Sequence, residues 1–138
     1  MATFNKFNVF TYDALAGKHD FTTHTYKVAL SNTAPSAANS VLADITQITA
    51  ANGYTSGGTA TSITLSTSSG TAKVVGTDVV FTATGGTIGA LRYAILYNST
   101  TAGGPLVGYW DYGSSITLND AETLTVDFDA TTGILTVT

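Results

Sequence analysis

Two histidines, His19 and His24, stand five residues apart with Asp20 between them. Imidazoles and a carboxylate are metal-ligand types, and a third ligand from elsewhere would complete a site. Motifs this short carry little specificity, and the expected role is a polar, exposed loop ahead of a strand. Asp127 and Asp129 are placed on one strand face by their spacing. Paired carboxylates bind Ca²⁺ or share a proton, but on an edge they serve to solvate a strand and discourage strand addition, which is the role expected here. Asp111 lies between Trp110 and Tyr112 and needs a partner or water in so aromatic a setting. Arg92, the only arginine, is expected across a hairpin from it, either paired with Asp111 or stacked on Tyr112. Either arrangement is structural. A catalytic acid needs a second group, and none follows from the spacing, so the expectation is a chain that is not an enzyme, with no catalytic residue, no metal and no cofactor.

The sequence carries no catalytic motif either. Gly17-Lys18 is followed by His19 rather than by the hydroxyl residue of a phosphate-binding loop. Gly85-Gly86-Thr87-Ile88-Gly89 has neither the helix nor the basic residue that would make it a phosphate cradle, and reads as a connector. Asn98-Ser99-Thr100 matches a glycosylation sequon but sits among turn formers and reads as a turn. No nucleophile elbow or H-E-x-x-H pattern occurs.

These residues have to be held by strands. The stretch Leu91–Gly113 contains two apolar, aromatic runs around a turn-forming insert, Asn98–Pro105, and is expected to be a β-hairpin. Pairing Asn98 with Leu106 sets Tyr97 opposite Val107, Ile95 opposite Tyr109 and Tyr93 opposite Asp111. One face then carries Leu91, Tyr93, Ile95, Tyr97, Val107 and Tyr109. The other carries Arg92, Ala94, Leu96, Leu106, Trp110 and Tyr112. Both faces are apolar, so both need covering by a second sheet, by loops or by another protein. Phe4, Phe7, Phe10, Tyr54, Tyr93, Tyr97, Tyr109, Trp110 and Tyr112 are accordingly candidate interface residues, with core packing as the commoner use of each.

Elsewhere, Phe4, Phe7, Val9, Phe10, Ala14 and Leu15 fit either a short helix stopped at Ala16-Gly17 or an extended arm. His24–Asn32 alternates as a strand. Residues 34–58 form a long irregular region with a helical turn after Ser40. Strands are expected over Ala60–Thr67, Thr71–Val75, Val79–Thr84, Ser115–Leu118 and Leu124–Phe128, with a last hairpin through Asp129–Gly133 to Ile134–Val137. Eight or nine short strands in one domain, residues 1–138, imply an all-β antiparallel sandwich or barrel, jelly-roll or Ig-like.

Composition sets limits on partners. The 138 residues include no cysteine, so there is no disulfide and no thiolate site. Charged residues make up 10%, well below the roughly 25% usual for soluble domains. Lys6, Lys18, Lys27, Lys73 and Arg92 are scattered and the net charge is −4, which leaves no footprint for nucleic acid or an anionic membrane. Met1–Lys6 does not read as a signal peptide, and no run is long enough to span a membrane, so synthesis in the cytosol is expected.

The segments MATFNKFNVF, YKVALSNTAP, NGYTSGG, GGTIGALRYAILYN and LVGYWDYGSSITLNDAETLTVDFD together resemble a family of small structural proteins of tailed bacteriophages. The resemblance runs the length of the chain and brings no catalytic signature with it. It implies a virion protein on the capsid surface, a decoration or cement protein bridging subunits of the major capsid protein as a homo-oligomer, a trimer by preference. Residues 1–17 and 34–58 are the expected contact segments, ordered only by a partner. The alternative is a tail or host-recognition module binding glycan through Trp110 and the tyrosines.

Overall fold

The computed structural model describes residues 2–138. Met1, the first residue of the N-terminal segment discussed above, lies outside them. The chain is mostly strand, all of it paired antiparallel, as the sequence implies. Among the described residues the strands are β1 (Thr3–Lys6), β2 (Tyr26–Ser31), β3 (Thr59–Thr61), β4 (Ile63–Ser68), β5 (Thr71–Gly76), β6 (Val79–Thr82), β7 (Ile88–Asn98), β8 (Leu106–Leu118), β9 (Thr123–Val126) and β10 (Leu135–Val137), with one α-helix, α1 (Asn8–Leu15), and a 3₁₀ turn, Leu42–Asp44, where a helical turn is expected after Ser40. A five-stranded sheet runs in the order β1-β8-β7-β2-β3. A three-stranded sheet, β10-β5-β4, and a two-stranded one, β6-β9, complete the β structure.

The long β7–β8 hairpin forms the centre. Ile95 pairs with Tyr109 and Tyr93 with Asp111, as expected from the alternation. The turn end does not follow that register. Leu96 pairs with Gly108 but Tyr97 pairs with Leu106, so Val107 is an extra residue on β8. That bulge exchanges the two neighbours between faces: Leu106 packs with Tyr93, Ile95 and Tyr97, while Val107 joins Ala94, Leu96 and Trp110. Leu91 also moves to the second face, across a register shift between Leu91 and Tyr93.

Both faces of the hairpin are covered from within the chain. On one, Val28, Leu30, Leu96 and Trp110 pack against Val74, Phe81 and Val126 of the smaller sheets and against Phe128 and Ile134 between β9 and β10, giving a sandwich core. On the other, Tyr93, Ile95 and Tyr97 meet Phe7, Ile45, Leu42 and Val9. The irregular segments therefore serve as the second cover. Residues 34–58 are held by contacts within their own chain. Leu42 N–H donates to Gly104 O at 2.9 Å, Ile48 N–H to Leu30 O at 3.0 Å, and Leu106 N–H to Ser40 O at 3.1 Å. The Tyr54 hydroxyl donates to Gln47 Oε1 at 2.7 Å and accepts from Leu30 N–H at 3.0 Å. Burial pushes that phenol up to about 12.

The N-terminal segment is both arm and helix. β1 adds to the edge of the large sheet beside β8, and α1 follows at once. The helix stops where the glycine implies. Gly17 takes φ +80°, and Lys18 N–H donates back to Asp13 O at 2.9 Å.

Three other expectations need correction. The Ala60–Thr67 segment is broken at Ser62 into β3 and β4, which belong to different sheets. Ser115–Leu118 is the far end of β8 and not a strand of its own. The C-terminal strand does not fold back on β9: β10 pairs with β5, Leu135 opposite Val74. Ten strands result among the described residues, against eight or nine expected.

Candidate functional site

Six of the nine candidate interface residues are spent on the interior. Phe7, Phe10, Tyr54, Tyr93, Tyr97 and Trp110 are all buried, and only Phe4, Tyr109 and Tyr112 stay half-buried. Core packing, the commoner use, takes these six because a sheet covered on both sides needs aromatic residues on both sides. Trp110 is the clearest case. Its indole is 6% exposed and lies 5.1 Å from the ring of Phe4 and 5.1 Å from that of Phe128. Tyr112 packs on the same core, and burial raises its hydroxyl to about 12, with the Asp127 carboxylate adding to the effect.

Arg92 and Asp111 do pair. Arg92 Nε–H donates to Asp111 Oδ1 at 2.8 Å and an Nη2–H donates to Oδ2 at 3.0 Å. Asp111 Oδ1 also accepts from Gly113 N–H at 2.7 Å. The guanidinium bonds, then the Gly113 amide, hold the carboxyl below its usual range. The arginine lies over the Tyr93 ring, 5.3 Å from its centroid, and not over Tyr112 as one alternative had it. A carboxylate held ionised by a full guanidinium fork is a poor general acid or base at neutral pH.

The acidic and histidine clusters are likewise built into turns. β9 ends at Val126, so Asp127 and Asp129 lie beyond the strand that was to carry them. Asp129 Oδ1 accepts from Thr131 N–H at 2.7 Å. Asp20 accepts from the Thr22 hydroxyl at 2.5 Å and the Thr23 hydroxyl at 2.7 Å, which depress its carboxyl strongly. His19 is not on an exposed loop. Its ring stacks on Phe21 and Tyr26 and tilts against Phe10, and desolvation lowers its pKa to about 4 despite the nearby Asp13 carboxylate. His24 Nδ1 accepts from Asn98 Nδ2–H at 2.9 Å. Among the described residues no three His, Cys, Asp or Glu side chains converge as a metal-ligand set. Asn98 itself is fully buried, its Oδ1 accepting from Thr100 N–H at 2.9 Å, so the sequon match is a structural turn.

The feature that sequence reasoning missed lies on α1. Phe10, Asp13 and Ala14 share the inward face of the helix, which puts an aspartate at a core position, 2% exposed. Its Oδ1 lies 3.0 Å from Lys18 Nζ, brought over it by the turn that ends the helix. The signal was available in the i, i+3, i+4 spacing of Phe10, Asp13 and Ala14, had the helix been preferred to the arm. Asp13 and Lys18 line a pocket of about 340 Å³ between α1, Ser40-Val41 and the β7–β8 turn. On the outer side of the same helix, Tyr12 is 71% exposed and Leu15 88%. This end of the molecule combines exposed apolar side chains with one buried charge. No family model, curated protein or solved structure matches the chain.

Proposed function

We propose that this chain is a structural protein of a tailed-phage virion, a decoration or cement protein that binds the outer capsid and bridges neighbouring subunits of the major capsid protein. The observation that carries the reading is the pair of outward apolar residues, Tyr12 and Leu15, beside a small pocket on a surface poor in charge. An isolated molecule gains nothing from a leucine 88% exposed at a helix end, whereas a molecule that docks buries it. The resemblance of the whole chain to phage structural proteins supports the same role. In this role each copy contributes a modest contact, and many copies summed over a shell raise the heat or force needed to part its subunits. A closed trimer is the natural form at a three-fold position.

Mass spectrometry of purified particles, with heat-release of the genome compared with and without the protein, tests the proposal. The protein is expected in mature heads, and particles lacking it are expected to open at lower temperature. Its absence from particles overturns the reading, and its presence in tails alone replaces it with a tail or host-recognition role.

A further inference from the structure

We infer that the pocket lined by Asp13 receives a basic side chain, lysine or arginine, presented by another protein. Asp13 is 2% exposed, and among the described residues its buried Oδ1 accepts no hydrogen bond and lies 3.0 Å from Lys18 Nζ. An ionised carboxylate offers about four acceptor positions. Burying one behind a single ammonium is expensive, because the lost hydration is only partly replaced. The lysine side chain is 48% exposed, so its ammonium is a solvated and weakly held counter-ion. The site has capacity for a second cation or for exchange of the first.

The walls specify the rest of the occupant. Val9, Val41 and Pro105 are apolar and suit an aliphatic stem, and the exposed ring of Tyr12 stands at the rim where a cation passes over it. The volume of about 340 Å³ is near the lower limit of ligand pockets and fits one side chain rather than a cofactor. Asp13 would repel an anion, and a neutral group would gain nothing from its charge. Charge complementarity therefore selects a cation on a hydrophobic stem. The apolar shoulder formed by Tyr12 and Leu15 lets the surface around that side chain dock as well. The inference rests on the adhesive role only for its source of the side chain; the preference of the pocket is independent of it.

Titration of the full chain with n-butylammonium chloride, followed by amide chemical shifts, provides the test. 1-Butanol and NaCl at matched ionic strength are the controls. Saturable shifts at Tyr12, Val41 and Thr101 are expected with butylammonium and with neither control. Asp13→Asn is expected to abolish them. Lys18→Gln, which removes the internal competitor, is expected to tighten binding by roughly three- to tenfold. An equal response to butanol, or no saturable response in both the native chain and Lys18→Gln, overturns the inference. So does unchanged binding in Asp13→Asn; should that variant not fold, the direction of the Lys18→Gln effect decides. Presence or absence of the chain in particles is read separately, so the two proposals fail independently.

Discussion

Arg92 grips Asp111 with two hydrogen bonds, of 2.8 and 3.0 Å, at the place where β8 departs from its partner. Tyr93 pairs with Asp111 and Leu91 with Ile116, so Arg92 alone faces the four residues Tyr112–Ser115. The pair, with Gly113 N–H on the same carboxylate, fastens this large bulge. The carboxyl is held below its ordinary range, so its contribution is present above that range and lost as pH falls through the depressed value. Asp111→Asn is expected to lower the melting temperature at neutral pH, and the two proteins are expected to converge in strong acid. Arg92→Ala is expected to return the Asp111 carboxyl toward its usual pKa, read by carbon-detected NMR titration.

Trp110 separates packing from recognition. Its ring is enclosed by Phe4 and Phe128 in the middle of the sandwich. Trp110→Ala is expected to cost about 3–5 kcal/mol in denaturant unfolding, the range for emptying a large aromatic site in a core. A glycan-binding platform would lose ligand affinity with little change in stability, which is the opposite result.

The parts of this fold legible in the sequence are those set by local alternation. Tyr26, Val28 and Leu30 announce β2, and the Ile95–Tyr109 and Tyr93–Asp111 pairs follow from counting outward from the turn. The bulge at Val107 alters no local pattern, because one inserted residue among apolar neighbours leaves the composition unchanged. Nor could proximity in sequence reveal that β10 passes over β9 to join β5. Ile134 N–H donates to Val74 O at 2.7 Å, a long-range choice made by the shared core. The aromatic residues misled for a related reason. Composition tells which side chains want cover but not that α1 and residues 34–58 supply it. Asp13 escaped notice because its inward position depends on the helix, and the helix and arm readings were both open.

Gly58 offers a backbone test of how residues 34–58 are held. It has φ +74°, and a Cβ built there collides with the carbonyl oxygen of Val28 in β2. The neighbour is backbone in the middle of a sheet and has no freedom to withdraw. Gly58→Ala is expected to cost on the order of 2–3 kcal/mol or more in urea unfolding. It is also expected to speed exchange of the Gly57 and Gly58 amides, since Gly57 N–H is held by Gln47 Oε1 at 2.7 Å. Gly17, whose added Cβ meets nothing, is the control and is expected to lose less.

His19 sets the response to mild acid. The ring is lodged among Phe10, Phe21 and Tyr26, and desolvation, opposed by Asp13 and assisted by His24 and Lys18, brings its pKa from 6.5 to about 4. A base with a depressed folded pKa binds its proton more readily when unfolded. Between 6.5 and 4 the unfolded chain therefore carries more protons, and stability falls as pH falls through that window. The loss attributable to this ring is on the order of 1–3 kcal/mol. His19→Phe keeps the aromatic packing and is expected to flatten stability across the window, measured by urea unfolding at stepped pH.

Tyr12 and Leu15 test whether their exposure serves binding. They stand 71% and 88% exposed on α1, so neither contributes much to the core. Tyr12→Ser with Leu15→Ser is expected to change unfolding free energy by no more than about 0.5 kcal/mol per site, as for surface positions in general. The same variant is expected to be lost from particles in a competition with the native chain, since the apolar area it would bury on the capsid is gone. Equal incorporation of the two proteins would show that the contact lies elsewhere. The edge strands β4 and β10, whose Leu65 is 42% exposed and Val137 60%, would then be the next surfaces to alter.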